Sequence, residues 1–505
     1  MNLRKNPSIL RAKVCFVGLV SLAVLVAQTA AAPAKEISEI VQLAKATTVQ
    51  INSRFNICNR GGSGVLIARK NDIYIVLTAR HVVKCRDVSF SIQTLDRKSH
   101  AVIGTKDALI NSKDLDLAVV QFKSSENYSV AQLGNSDLVD VGFSVYVSGY
   151  PTSSDKTALQ REHEFSPGFI TSRPQQRLGG YTLRHSATTW GGMSGGPIFD
   201  SAGRVVGIHG AADRAGTALS AFEDTSEIPI KTGFNAAIPI KSFLALLSNW
   251  GLRRNEVAVD NTPLVNASPI AARLSNPKNF RDYYLRGLTR LDNQNYPGAI
   301  SDLTQVLRSQ PNYAEAYFYQ GNAFFNSGNL TKSIDSYSQA IQLNNKYVDA
   351  YYNRAFSLSE QGSLREAIRD YTQVIRLDSL SDEAYNNRGL ARSSLGDKQG
   401  AIDDFNQALK INPSKANTYF NRGQTRYQIR NYEAALSDHT KAIELNPDYA
   451  KAYAQRGAAL FRLGKVQVAI ENLQTAADLF LKQGQTENYK RALRLIEDVK
   501  RASGN

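Results

Sequence analysis

Two patterns of apolar and polar positions divide this chain of 505 residues. Over residues 36–251 the apolar positions form short β-rich runs, at 47–52, 64–68, 73–78, 88–92, 117–122, 144–150, 205–209 and 233–238. Clusters of Gly, Asn and Asp separate them, so many short strands joined by turns are predicted, in a barrel or a sandwich. Residues 240–250 read as one closing helix. Residues 252–279 lose periodicity and contain Pro263, Pro269 and Pro277, the composition of a partly extended linker.

From residue 280 a repeat takes over. Tyr recurs at 283, 317, 351, 385, 419 and 453, every 34 residues without a slip. Four residues later comes a small residue: Gly287, Gly321, Ala355, Gly389, Gly423 and Gly457. Twelve further on stand Ala299, Ser333, Ala367, Ala401, Ala435 and Ala469. Pro311, Pro413 and Pro447 mark a third column, with Asn345 and Ser379 in the other repeats. The small residues let two helices approach closely, and the Pro column ends each unit. This is the tetratricopeptide pattern, which predicts six helix pairs over 280–483 stacked into a superhelix. Residues 484–505 are amphipathic and are expected to cap the last apolar face.

The N-terminus has a targeting shape. Arg4, Lys5, Arg11 and Lys13 precede an apolar stretch, 14–27, that is short for a membrane span, and then the small residues Ala30, Ala31 and Ala32. Residues 1–32 therefore read as a cleavable export signal, with an uncleaved membrane anchor as the alternative; the expected location is periplasmic or secreted. Cys58 and Cys85 remain after cleavage. In an exported protein such a pair suggests one disulfide, closing a loop that would stabilise by about 3–4 kcal/mol, against two free thiols. The net charge of +15 is spread along the chain with no basic run interleaved with aromatics, so no nucleic-acid partner is expected. The remaining histidines, His100, His163, His185 and His439, show no metal-ligand spacing, and neither metal nor cofactor is expected.

Three segments carry candidate chemistry: Leu77-Thr78-Ala79-Arg80-His81-Val82-Val83, Asp116-Leu117-Ala118-Val119-Val120, and Gly191-Gly192-Met193-Ser194-Gly195-Gly196-Pro197. Ser194 is a candidate nucleophile, His81 the base that takes its proton, and Asp116 the carboxylate that fixes the imidazole tautomer. Asp114 competes for the last role; Asp116 is preferred because an apolar strand follows it directly. The glycines permit a tight loop that aims the backbone N–H groups of Gly192 and Ser194 at a developing oxyanion.

The order His, Asp, Ser and all three motifs resemble the chymotrypsin/trypsin superfamily of serine peptidases over about residues 40–250. The resemblance implies an all-β double barrel over 36–251, followed here by an all-α tetratricopeptide superhelix, and a serine endopeptidase acting on protein or peptide substrates. Cys58 and Cys85 flank His81 much as the histidine-loop disulfide of that superfamily does. Met193 departs from the usual Asp or Asn, at a position that contributes mainly backbone. The alternative function is a partner-regulated or inactive peptidase-like scaffold that mainly binds protein.

Two residues bear on specificity. Thr189 and His209 resemble the pair that binds the P1 carboxylate in bacterial V8-type glutamyl endopeptidases, where a hydroxyl and an imidazole both donate to the anion. Trp190, Ala211 and Ala212 depart from that pattern, leaving a small or broad apolar pocket as the other reading. Thr188 in place of Asp argues against a Lys or Arg preference. In the repeats, Asn353, Asn387 and Asn421 fall two residues before the small residue, with Gln455 next. They resemble the asparagine ladder in the repeat superhelix of the O-linked N-acetylglucosamine transferase, which implies a protein or peptide partner on the concave face.

Overall fold

The computed structural model describes residues 32–53, 61–83, 89–107, 115–152, 161–174, 178–214, 230–264 and 274–503. Residues 1–31 of the expected signal, Asp114, and the expected Cys58–Cys85 bridge lie outside the described residues. The chain opens with α1 (Ile37–Thr47), in a stretch expected only to hold strands. Its Ile40 and Ala44 are four residues apart, on one face, and both are fully buried.

Strands β1 (Thr48–Ser53), β2 (Gly62–Lys70), β3 (Ile73–Ala79), β4 (Phe90–Gln93), β5 (Ser99–Asp107) and β6 (Leu117–Lys123) close a first barrel in the order β1-β2-β3-β6-β5-β4. The short helix α2 (Arg80–Val83) follows β3. Strands β7 (Ser144–Gly149), β8 (Glu164–Ser172), β9 (Leu183–His185), β10 (Pro197–Phe199), β11 (Val205–Arg214) and β12 (Lys231–Pro239) close the second barrel, in the order β10-β11-β12-β9-β8-β7. The expected all-β double barrel is thus present. Strands β5, β8, β9 and β10 lie outside the expected runs; in β8 the pattern is interrupted by Pro167 and Gly168. Pro167 pairs with Tyr146 of β7 at a point where β9 has not yet joined β8, so its missing N–H breaks no ladder on that side.

Each barrel has its own apolar centre, Val49, Leu66, Tyr74 and Phe122 in the first, Val147, Ile170, Met193 and Val206 in the second. A third cluster joins them across the seam: Ile40, Val65, Leu77, Leu133, Phe199, Val205 and Trp250. Polar struts cross the same seam. The buried Arg161 guanidinium donates to the carbonyls of Ile51 (2.8 Å) and Tyr150 (3.0 Å), and the hydroxyls of Thr48 and Ser148 meet at 2.7 Å. The closing helix is shorter than expected, α3 (Ile240–Leu244) followed by a 3-10 turn at Leu247–Trp250.

The first half of the expected linker is docked. Leu252 and Val257 join the seam cluster, and Asp260 accepts from Arg204 at 3.1 Å. Beyond it come six helix pairs, from Phe280–Asp292 to Val466–Lys482, and a last helix, Thr486–Ala502. The recurrent Tyr residues are half-buried for a reason the period alone does not show. An Arg three residues on lies over each ring in all but the second repeat, as Arg388 does over Tyr385. In the first, third, fourth and fifth repeats the same Arg forks onto an Asp of the next helix, as Arg388 does onto Asp404 at 3.0 and 2.6 Å. A planar guanidinium can stack and bond bidentately at once. Arg388→Lys keeps the charge but loses both, and should lower array stability by about 1–3 kcal/mol. Thermal unfolding followed by far-ultraviolet circular dichroism checks this; an unchanged midpoint would show that charge alone matters.

Candidate active site

The site forms where the two barrels meet. His81 stands on α2, placed there because β3 ends at the seam, and Asp116 immediately precedes β6, which pairs with β3 along its length. The His81 Nδ1 and Asp116 Oδ2 atoms lie 2.6 Å apart, and the His81 backbone N–H donates to Asp116 Oδ1 at 2.8 Å. The Asp116 main chain is fixed as well, its N–H donating to Gly179 and its carbonyl accepting from Arg80. A second side chain reaches the carboxylate: Tyr181 Oη donates to Oδ2. Burial pushes the Asp116 carboxyl up, but the bonds from His81 and Tyr181 outweigh it and hold it below the usual carboxylate value. Burial raises the Tyr181 phenol further, with the Asp116 charge in the same sense, so it stays a donor.

Ser194 lies in the turn before β10. Gly192 and Gly195 have φ of +92° and +86°, and a Cβ on Gly195 would sit 2.0 Å from Thr78 Oγ1 and 2.2 Å from the Ser63 carbonyl. Only glycine fits there. The amides of Met193, Gly195 and Gly196 donate to the carbonyls of Trp190, His209 and Met193. Among the described residues those of Gly192 and Ser194 meet no acceptor, so two N–H groups of this turn are available to a ligand oxygen. Met193 is fully buried in the apolar centre of the second barrel, so its side chain serves packing. The Ser194 hydroxyl donates to the Gly210 carbonyl at 3.0 Å.

Ser63 of β2 ties this turn to the first barrel. Its N–H donates to the Ser194 carbonyl and its hydroxyl to the Gly192 carbonyl, each at 2.8 Å, while the same hydroxyl accepts from the Tyr150 N–H. Neither Ser63 nor Tyr181 stands out in the sequence. Each is a single polar residue beside a Gly pair, Ser63 after Gly61-Gly62 and Tyr181 after Gly179-Gly180, with no periodic spacing to mark it.

Thr189 and His209 line the turn from behind, in different ways. The Thr189 hydroxyl donates to Asn235 Oδ1 at 2.7 Å, and Asn235 Nδ2 donates to the Ala187 carbonyl at 2.8 Å. The His209 ring is 2% exposed and packs edge-on against His185, centroids 5.4 Å apart. Burial, helped by nearby His81, pushes its pKa down to about 3, so it is neutral. Its Nδ1 finds no partner among the described residues. The cleft itself is open, with the His81 side chain 40% exposed and Trp190 44% exposed.

In the array, Asn353 bonds both the N–H and the carbonyl of Lys231. Asn387 and Asn421 are held within the array: Asn387 donates toward the Tyr352 and Tyr371 hydroxyls, and Asn421 donates to Asn386. Among the described residues no group of His, Cys, Asp and Glu could hold a metal ion, and no helix is long and apolar enough to cross a membrane.

Residues 62–208 match the trypsin-like peptidase domain family. Residues 321–362, 348–379, 382–415 and 416–449 match tetratricopeptide repeat families. No curated protein matches the chain. Similar solved structures include the crystal structure of MamA, 23% identical with a TM-score of 0.32, covering 33% of this chain and 96% of that one. Another is YrrB, described as a TPR protein with an unusual peptide-binding site, at 19% identity and a TM-score of 0.33, covering 38% of this chain and 97% of that one.

The Tyr181 bond makes a prediction about pH. A carboxyl whose folded pKa is depressed adds stability above its unfolded value, about 4, and loses it as pH falls through the folded value. Tyr181→Phe removes one donor and raises the folded value. The variant should therefore be less stable than the parent at neutral pH, and the gap should narrow below about pH 4. Thermal unfolding of both proteins across this range tests it; a gap independent of pH would contradict the account.

Proposed function

Because this chain joins a trypsin-like peptidase domain to tetratricopeptide repeats, we propose that it is a serine endopeptidase working through Ser194, His81 and Asp116. One observation carries the reading. The His81 imidazole is held by Asp116 at 2.6 Å across the seam from a turn whose Gly192 and Ser194 amides meet no acceptor among the described residues. That arrangement does three things acyl transfer needs. Asp116 keeps the His81 proton on Nδ1, so Nε2 is the basic nitrogen. The Ser194 hydroxyl, turned from the Gly210 carbonyl to His81, gives up its proton as its oxygen attacks the scissile carbonyl. The two free N–H groups receive the oxyanion, and the His81 imidazolium returns the proton to the leaving amine. Water then repeats the sequence on the acyl-enzyme.

The pocket behind the turn is read as small and uncharged. Thr188, Thr189, Asn235 and His209 bring hydroxyl, amide and imidazole groups but no carboxylate, which argues against Lys or Arg at P1. The neutral, buried His209, and a Thr189 hydroxyl already donating to Asn235, favour a small uncharged P1 residue over an acidic one. The basic, apolar and small-residue order of 1–32 supports export, in which case Cys58 and Cys85 meet an oxidising compartment.

Two measurements test these readings. Ser194→Ala should fold as the parent does, resist a fluorophosphonate probe, and lose on the order of 10⁴–10⁶ in kcat; retained hydrolysis would overturn the assignment. The mature protein recovered from cells should begin near Ala32 or Pro33, and a full-length chain held in the membrane fraction would show an anchor instead.

A further inference from the structure

The repeat array already holds an extended peptide, and that peptide is the start of β12. The Lys231 N–H donates to Asn353 Oδ1 at 2.6 Å, and its carbonyl accepts from Asn353 Nδ2 at 2.7 Å. Asn322 Nδ2 donates to the next carbonyl, Thr232, at 2.9 Å, and Asn322 is itself braced by the Tyr337 hydroxyl at 2.7 Å. The Lys231 ammonium pairs with Glu383 at 2.7 Å and lies 5.0 Å from the Tyr352 ring centroid. Phe234 stacks on Tyr319 at 5.3 Å. Buried amides that satisfy both main-chain groups of one residue grip a strand whatever its side chain; the ammonium and the aromatic ring add selectivity.

The gripped strand also carries Asn235, one of the residues that the reading above assigns to the substrate pocket. Asn235, four residues along β12, accepts the Thr189 hydroxyl and pairs in register with Ala212 of β11, the strand whose His209 carbonyl anchors Gly195. A short run of bonds thus joins Asn353 to the wall behind Ser194. The array does not plug the cleft, since His81 and Trp190 remain exposed.

We propose that the array is a buttress of the substrate pocket: its Asn322–Asn353 clamp holds β12 in place, and full peptidase activity requires the clamp to be closed. An extended peptide with a lysine three residues before an aromatic, the pattern of Lys231 and Phe234, would compete for the clamp and lower activity. This rests on the peptidase reading above, and the test separates the two.

Full-length Asn322→Ala/Asn353→Ala is compared with the parent, and with Asn353→Asp, which keeps size but sets a carboxylate against the Lys231 carbonyl and so guards against simple misfolding. Amide hydrogen exchange over residues 230–236 should be at least tenfold faster in both variants. Fluorophosphonate labelling of Ser194 should persist, while kcat/KM for peptide substrates should drop about tenfold, mainly through KM. A synthetic peptide of residues 230–235, added to the parent, should reduce hydrolysis. Unchanged exchange overturns the buttress whether or not Ser194 is labelled. Faster exchange with unchanged hydrolysis reduces the contact to a tether, and faster hydrolysis makes it a brake; either result overturns the proposal. Absence of labelling in parent and variants alike, with exchange responding, would instead remove the peptidase reading and the dependence of activity on the clamp.

Discussion

Ser63 is the point on which the proposed catalytic arrangement depends. A nucleophile from one barrel and a base from another can meet only if the seam between them is held to a fraction of an ångström. Ser63 achieves this with two donors and one acceptor. Its backbone holds the Ser194 carbonyl, and its hydroxyl bridges the Gly192 carbonyl and the Tyr150 N–H. These bonds orient the peptide units of the turn that carries Ser194, whose Gly192 and Ser194 amides meet no acceptor among the described residues. Buried polar groups of this kind are costly if left half-satisfied, so the geometry is over-determined by the groups around it.

The same logic explains the electrostatics of the site. Asp116 is the charged group, and it is surrounded by donors from His81 and Tyr181. The groups behind the turn are neutral: His185 and His209 are buried imidazoles kept uncharged by desolvation. Charge is thus concentrated where an imidazolium would form, and the pocket side is left polar but uncharged. Met193 fits this division, since an apolar side chain sits where a buried charge would need a partner.

The array is built by a different rule. Its helices repeat one guanidinium arrangement, stacked on Tyr and forked onto Asp, which fixes neighbouring helices at the same offset. Such a solenoid can present a ladder of amides at regular spacing. Here that ladder is divided. Asn353 meets another part of the chain, whereas Asn387 and Asn421 bond within the array. The repeat period shows where an amide will recur but not what will reach it, because the peptidase strand arrives from more than a hundred residues away.

The sequence by itself determined the elements whose signal is local or periodic. The 34-residue repeat, the strand runs and the three motifs around His81, Asp116 and Ser194 are all short-range patterns, and the fold follows them. The need for glycine at Gly195 is tertiary, since Thr78 and Ser63 of the first barrel leave no room there for a side chain. What only the tertiary structure decided is which lone polar residues the folding brings together. Tyr181 reaches Asp116 across 65 residues, Ser63 reaches Gly192 across 129, and Asn353 reaches Lys231 across 122. Helix α1 and the strands β5, β9 and β10 were hidden for a related reason, since their pairing and packing outweigh local propensity, while Pro167 and Gly168 masked β8. Local pattern writes the strands and helices; the seam between barrels, and the seam between barrel and array, are made by contacts that leave no periodic trace.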